Sequence, residues 1–402
     1  MIYIKTVLLI AGGRWQVPIA KKIKEMGHKL ICSNLYPDSP AFKYADKTYV
    51  ANVLDKESNL KFAKECNIDA VVSDQSDISM ETVAYIADNL GLASNGPQMA
   101  RLFHSKIEMR KFCKENGFPS PDFRECKTVE DALDFYKGKK TIVIKPSNSQ
   151  AGRGFFRIDS PEDIIKNFDE SLRNGTREKI VIAEDFIDGR EFTIDGIFIN
   201  GVHHNLSTSI KTHYPFANNI ANEIYFTHKD SRYDIDALIS HDNALMNATG
   251  ARMGLTHNEY KFTNGKFVLV EMSNRGGGNN ISGVIDPLMS GVESMKLYIR
   301  QALGEEVNEF TRGPRKNNVM LKFFDVRDFG HGDSFTIHSI EGLDDVSRLP
   351  GVVEIYINYK VGDVMHDASN GANRPGYYIA YGDNREDLDA LHEKIMQTIR
   401  IY

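Results

Sequence analysis

The chain has no apolar run long enough for a membrane-spanning helix. It has only four cysteines in 402 residues, Cys32, Cys66, Cys113 and Cys126. Their scattered spacing excludes a thiolate metal site and a disulfide framework, so reduced thiols and a cytoplasmic location are expected. Neither sign of charge dominates: 49 Lys and Arg stand against 55 Asp and Glu, a formal net charge of −6. That balance gives no case for nucleic acid or a membrane surface as partner. The first residues, Met1 to Gly13, lack the basic head and cleavage site of a signal peptide and read as a first strand. Internal repeats and low-complexity tracts are missing too. What is there is a globular composition, too long for one ordinary core, so two or three domains are expected.

The most informative stretch is Val268 to Asn280. An apolar run ends on Glu271, and Asn274, Arg275 and the glycines Gly276, Gly277 and Gly278 follow. A buried strand ending in a carboxylate can hold a divalent cation by oxygen. An arginine beside it suits an anion, and glycines let backbone N–H groups approach a ligand. Just upstream, Asn264-Gly265 separates two alternating runs, a hairpin signal. A loop of only Asn264-Gly265 would set Phe262 opposite Phe267 but Lys261 opposite Val268. A loop of Asn264 to Lys266 sets Phe262 opposite Val268 and Tyr260 opposite Val270, with all apolar pairs on one face. We read the second register, which places Glu259 opposite Glu271 on the other face. Adjacent carboxylates repel unless a cation lies between them. The pair is read as a Mg²⁺ site, with two solvated glutamates as the alternative.

From residue 6 to 90 strands and helices alternate: strand 6–11, helix 17–26, strands 29–33 and 47–50, helix 55–66, strand 70–73, helix 78–90. That spacing predicts a doubly wound parallel sheet. The Gly12-Gly13 turn lacks the full G-x-G-x-x-G, and the second strand ends in Ser33-Asn34 instead of an acid, so a NAD site is not expected. A tight turn at a domain interface, or a role in holding a small substrate, stays open. Gly91, Gly96 and Pro97 mark the end of the first domain. Ser105 reads as a helix N-cap with Glu108 as its capping-box partner. Helix 128–137, strands 141–145 and 155–158, a helix from Pro161 and strand 181–186 make a small α+β unit, and Asn200-Gly201 turns another hairpin. Lys145-Pro146 ahead of Ser147, Ser149, Gly152 and Gly154 reads as a nucleotide-phosphate element: hydroxyls and backbone N–H groups wrap phosphate oxygens and the lysine adds charge. It is not a Walker A loop, which puts the lysine after the glycines.

Taken in order, Lys106, Lys145, Glu184, Glu191, Glu259 and Glu271 make the chain resemble the ATP-grasp superfamily, in particular its carboxylate–amine (amino-acid) ligases. The resemblance implies an α/β and α+β fold in three parts: an N-terminal doubly wound domain over 1–100, an ATP-grasp domain over 101–310 with a lid at about 115–180 and a central antiparallel sheet, and a C-terminal α+β subdomain over 311–402. It implies that Lys106 and Lys145 touch the phosphates of ATP beneath the loop Ser147 to Gly154. Glu184-Asp185-Phe186-Ile187 would be the adenine hinge, with Ile187 lining the purine, and Glu191 would hold the ribose. Glu259 and Glu271 would hold Mg²⁺ or Mn²⁺, and Arg275 would steady an acyl phosphate. The family's Glu-x-Asn-x-Arg ending here reads Glu271-Met272-Ser273-Asn274-Arg275. Either Ser273 stands in for the amide, or Asn274 reaches around, or one metal is held more weakly.

Arg275, Gly276 to Gly278 and His257, two residues before Glu259 on the same face, are the expected substrate contacts. Lys211 to Asn219, and Glu223, lie between two strands of the central domain, where the resembled family receives substrates; His213 among them reads as a structural hydrogen-bonder. Ile281 to Val292 reads as a loop and helix start, followed by a helix to about Leu303. Residues 318 to 382 read as a separate small α+β unit with strands at 319–324, 335–340, 352–359 and 377–381. Arg374, within Asn373 to Gly376, is read either near the site or as a surface arginine. The expected reaction is ATP-dependent joining of a small-molecule carboxylate to an amine, without nucleic acid or membrane partners; a homodimer is compatible. The rivals are a phosphotransferase on the same scaffold and a nucleotide-binding regulator without turnover.

Overall fold

A computed structural model of the chain describes residues 4–149, 152–176, 178–368, 371 and 374–402, with the side chains of 218 and 219 excepted. Gln150 and Ala151 of the glycine loop, and Asn373, lie outside the described residues. The first unit alternates β1 (Thr6–Ile10), α1 (Val17–Glu25), β2 (Lys29–Asn34), β3 (Lys47–Val50), α2 (Lys56–Cys66), β4 (Ala70–Val72) and α3 (Asp77–Leu90). Its strands are parallel in the order β3-β2-β1-β4. Val7, Leu8, Leu9 and Ile10 are all fully buried, because helices cover both faces of such a sheet. A Cβ at Gly12 would come within 3.0 Å of Cys32 Sγ and 3.3 Å of Asn34 Cβ, so this glycine serves close packing.

The segment expected to mark the end of the first domain contains α4 (Gly96–Leu102). Pro97 sits in its first turn, where the missing N–H costs nothing, so Gly-Pro opens a helix here. Next is α5 (Lys106–Asn116), capped by Ser105, whose hydroxyl oxygen accepts the Glu108 N–H at 3.4 Å. The next unit, where the lid is expected, comprises β5 (Phe123–Cys126), α6 (Val129–Tyr136), β6 (Ile142–Pro146), β7 (Phe156–Ile158), α7 (Pro161–Arg173) and β8 (Val181–Asp185). Its four strands are antiparallel in the order β5-β8-β6-β7.

The centre holds β9 (Arg190–Ile199), β10 (Val202–Tyr214), β11 (Ala217–Thr227), α8 (Ile235–Thr249), β12 (Gly254–Thr263), β13 (Lys266–Ser273), α9 (Asp286–Ser290) and α10 (Ser294–Ala302). The C-terminal part adds β14 (Asn318–Phe323), β15 (Ser334–Thr336), β16 (Ile340–Glu341), α11 (Leu343–Ser347), β17 (Val352–Ile357), β18 (Val364–His366), β19 (Gly376–Gly382), α12 (Arg385–Thr398) and β20 (Arg400–Ile401). It is not a separate sheet. One eight-stranded sheet runs β13-β12-β9-β10-β11-β14-β19-β17, with β14 paired to β11 from Glu223↔Lys322 to Thr227↔Asn318. Pairing with β14 removes the open edge that β11 would otherwise present. The strand expected at 335–340 is two short pieces, β15 and β16, in different small sheets.

The register of the β12–β13 hairpin differs from the one we read. The turn is Asn264-Gly265, both at positive φ (49° and 73°), and it pairs Phe262 with Phe267 and Lys261 with Val268. Asn-Gly favours the tight mirror-image turn strongly enough to override the apolar-pairing argument. A β-bulge then leaves Val270 unpaired and restores Glu259 opposite Glu271. The bulge has a support: the buried Arg110 of α5 donates from Nη2 to the Val270 carbonyl at 2.6 Å.

Candidate active site

Alternate residues of a strand share a face. Phe192, Ile194 and Tyr260 enter the hydrophobic core, so Glu191, Thr193 and Asp195 of β9 and His257 and Glu259 of β12 take the other face. Ser209 and Lys211 of β10 are in register with Thr193 and Glu191. There Lys211 Nζ lies between Glu191 (2.8 Å) and Glu259 (2.5 Å). On the neighbouring strand Glu271 is bound by Lys106 Nζ at 2.8 Å, which also donates to the Ser149 carbonyl at 3.2 Å. Lys145 Nζ lies 2.6 Å from Glu184, and Arg110 Nε donates to the same carboxylate at 2.8 Å. Arg275 makes two bonds to Asp77, at 2.8 and 2.7 Å. Burial pushes the Glu259 carboxyl up, but Lys211 and His257 override it and hold it well below the usual range. Burial alone would raise Asp77; the Arg275 guanidinium instead holds it down, at about 2.

The carboxylates are thus already balanced, by ammonium groups. The donor set nevertheless suits Mg²⁺: both members are carboxylates, adjacent across two strands, and each has one oxygen on a lysine. Among the described residues no group of three or more His, Cys, Asp or Glu is disposed to hold an ion. Mg²⁺ commonly takes one or two carboxylates and completes its shell with phosphate oxygens and water, so two protein ligands suffice.

Asn274 does not reach the pair. It is one residue out of phase with Glu271 and Ser273, so its amide turns to the opposite side. There it donates to the Met253 and Leu255 carbonyls and accepts from Asn95. Ser273 faces the site and donates to Asp77 at 2.9 Å. The glycine loop is also different from expectation. Gly276 N–H donates to Asp74, and a Cβ at Gly277 would fall 2.5 Å from Asp195 Oδ1 and 2.9 Å from His257 Nδ1. Two of the three glycines therefore make room for protein side chains; Gly278 alone borders open space. His257 is bound by Asp195 at 2.8 Å, and Asp195 overcomes burial to lift the imidazole to about 9.

Of the residues expected to hold a nucleotide, Ser147 is buried and its hydroxyl has no partner among the described residues, while Ser149 Oγ bonds the Arg153 carbonyl. Gly152 and Gly154 both adopt positive φ. Glu184 points into the Arg110–Lys145 pair, Asp185 is taken by Lys139 at 2.6 Å, and the Ile187 carbonyl accepts from Lys261. Phe186 carries Arg157 over its ring at 4.6 Å. Glu191 also meets His213 at 3.4 Å. Arg374 is buried, not on the surface.

Sequence reasoning missed Arg110, Asp74, Gln75 and Asp77 as parts of the site, and it placed Lys211 in a substrate-receiving segment, not between Glu191 and Glu259. Arg110 had a signal: it lies one helical turn after Lys106 on α5, so both face the same way. The ion pairs of Lys211 with Glu191 and Glu259 had none, because a bulge near Leu206 in the β9–β10 hairpin shifts its pairing by one residue. The loop after β4 carries Asp74 and Gln75 and the first residue of α3 is Asp77, and they grip the glycine loop through Gly276, Asn280 and Arg275.

Two family models match the chain: an ATP-grasp domain over residues 139–283 and an L-amino acid ligase C-terminal domain 2 over residues 336–402. A formate-dependent phosphoribosylglycinamide formyltransferase from Prochlorococcus marinus subsp. pastoris is 27% identical over 197 residues, 47% of this chain. That match spans only 50% of the relative's length. Among solved structures, an L-amino acid ligase from Bacillus licheniformis aligns with a TM-score of 0.81 at 21% identity, covering 99% of this chain and 98% of the other. A phosphoribosylglycinamide synthetase from Anaerococcus prevotii aligns with a TM-score of 0.77 at 17% identity, covering 99% of both chains. The fold is thus shared end to end, and residues 139–283, which take in the Lys145 loop, Glu184, Glu191 and both hairpin carboxylates, match the ATP-grasp domain family.

Proposed function

We propose that the protein is an ATP-dependent carboxylate–amine ligase acting on small molecules. A substrate carboxylate oxygen attacks the γ-phosphorus of ATP and ADP leaves. An amine nitrogen then attacks the carbonyl carbon of the acyl phosphate, expelling phosphate and giving up its proton to solvent. The observation that carries this reading is the contiguous chain of ion pairs from Lys145 through Glu184, Arg110 and the Val270 bulge to Glu271 and Lys106, with Lys211 between Glu259 and Glu191 on the adjoining strands. Each lysine holds a carboxylate that a polyphosphate can replace.

Lys106 and Lys145 would turn to the phosphates under the Ser147–Gly154 loop, with Ser147 donating its unpartnered hydroxyl. Residues 184–187 would border the adenine, and Glu191 the ribose. Mg²⁺ held by Glu259 and Glu271 would supply charge neutralisation at the β- and γ-phosphate oxygens. Arg275, held by Asp77, would face the acyl phosphate, beside the backbone of Gly278. No protein nucleophile is required; positioning and charge stabilisation carry the rate. Lid closure would keep water from the acyl phosphate. The relatives' names, one formate-dependent and one an amino-acid ligase, support small carboxylates and amines as the substrate class.

The test is ADP release across a panel of amino acids and other small carboxylates, with and without amines, and Glu271→Gln as the blank. Amine-dependent ADP release lost in Glu271→Gln is the expected result. A phosphorylated product formed without amine would instead indicate a phosphotransferase, and an active Glu271→Gln enzyme would refute the metal assignment.

A further inference from the structure

Lys211 serves two carboxylates at once. It is the register partner of Glu191, and β9 lies between its own strand, β10, and β12. The side chain therefore crosses β9 to reach Glu259. Its ammonium stands 2.8 Å from Glu191 Oε1 and 2.5 Å from Glu259 Oε1, in a residue only 8% exposed. Lys261, the partner of Glu191 on β12, turns instead to the Ile187 carbonyl at 3.1 Å. Lys106 serves Glu271 as Lys211 serves Glu259. The three carboxylates thus share no common point: Glu191 and Glu259 converge on one nitrogen, and Glu271 meets another.

Two carboxylate oxygens converging on one point make a cation position, and here the protein's own ammonium fills it. The contacts of Glu259 with Lys211 and, at 3.7 Å, with His257 Nε2 both fall on Oε1, and Lys106 takes Oε1 of Glu271. A divalent cation on the other oxygen of Glu259 would lie about 4–5 Å from the Lys211 nitrogen, given a metal–oxygen distance of about 2.1 Å. Repulsion between a dication and an ammonium at that distance lowers affinity by at least about tenfold, even at the dielectric of water. Lys106 repels the cation as well. A polyphosphate reverses the balance. Its oxygens bring the missing negative charge, complete the shell of Mg²⁺ and offer the lysines other partners.

We propose that Lys211 is a built-in counter-ion for Glu191 and Glu259, a positioning residue that bars a divalent cation from these carboxylates until a polyphosphate arrives with it. The proposal rests on the metal and nucleotide reading above and adds an order of binding. The test counts Mn²⁺ bound to the protein without nucleotide, from the electron paramagnetic resonance of the free ion. It compares wild type, Lys211→Met, Lys211→Arg and the double variant Lys211→Met/Glu259→Gln. Wild type and Lys211→Arg should bind Mn²⁺ weakly. Lys211→Met should bind one Mn²⁺ at least about tenfold more tightly than wild type, and the gain should vanish in the double variant. Mn²⁺ should also raise the thermal midpoint of Lys211→Met and leave that of wild type in place, since a ligand of the folded state stabilises it. If Lys211→Met does not fold, Lys106→Met, which frees Glu271 by the same logic, takes its place. Dialysis of ADP with and without Mn²⁺, in wild type and Glu271→Gln, tests the underlying reading separately: Mn²⁺ should tighten ADP binding in wild type alone. Equal Mn²⁺ binding by wild type and the lysine variant, or a gain that survives Glu259→Gln, overturns the proposal alone. No effect of Mn²⁺ on ADP binding in wild type overturns the metal reading and this proposal with it.

Discussion

Removing Glu184 should cost more stability than removing Arg110, although the two are partners in one buried ion pair. Arg110, Lys145 and Glu184 are all buried, at 0%, 7% and 2% exposure. Two cations share one carboxylate there. Burial raises the Glu184 carboxyl, but Arg110 and then Lys145 override it and hold it below its usual range. Burial also lowers the Lys145 ammonium. Glu184→Gln strands both cations, and breaking a buried pair from one side costs about 3–5 kcal/mol. Arg110→Met leaves Lys145 and Glu184 as a neutral pair; its main loss is the bond to the Val270 carbonyl, about 1–3 kcal/mol. Adding Arg110→Met to Glu184→Gln removes one stranded cation, so the double variant should be less destabilised than the sum by at least about 1 kcal/mol. Denaturant unfolding, followed by a lid-specific probe because a chain of several units need not unfold in one step, measures all three. Additive effects, or a larger loss in Arg110→Met, would refute the charge argument.

A pH prediction concerns the far side of the sheet, where His203 is bound by Asn243 and Thr256 and lies 3.7 Å from Asp242. Burial pushes His203 down to about 4 and Asp242 up to about 7. A lowered histidine makes the fold lose stability as pH falls from about 6.5 to about 4, and a raised aspartate makes it lose stability as pH rises from about 4 to about 7. The two slopes oppose, so wild type should be nearly flat over this range. Asp242→Asn should gain about 3 kcal/mol as pH rises through it, and His203→Gln should lose a similar amount; parallel urea curves for all three proteins would count against the assignment. Gly277→Ala should cost about 1–3 kcal/mol, because its Cβ would press on Asp195 and His257. It should also lower ADP release more than stability alone accounts for; wild-type turnover in a folded Gly277→Ala protein would exclude a fixed loop as a requirement.

The sequence by itself determined the parts that depend on local pattern. Alternating strands and helices specified the parallel N-terminal sheet, because a βαβ path permits little else. Ser105 capped α5 as read, and Asn200-Gly201 turned its hairpin. The residues in the chain of ion pairs that sequence order picked out, Lys106, Lys145, Glu184, Glu191, Glu259 and Glu271, do come together. Long-range pairing was beyond reach. Periodicity gives a strand its faces but not its neighbour, so β14, β19 and β17 read as a separate unit although β11 recruits them into one sheet. It also misses a single extra residue: the hairpin register was misread, yet Glu259 still meets Glu271, because the Val270 bulge corrects the offset. Which side chain answers each charge was decided only by tertiary structure. Arg110 approaches from another helix, Asp74, Gln75 and Asp77 from beside the parallel N-terminal sheet, and Lys211 from across a bulged strand. Coulombic partnership depends on distance in space, which spacing along the chain does not encode.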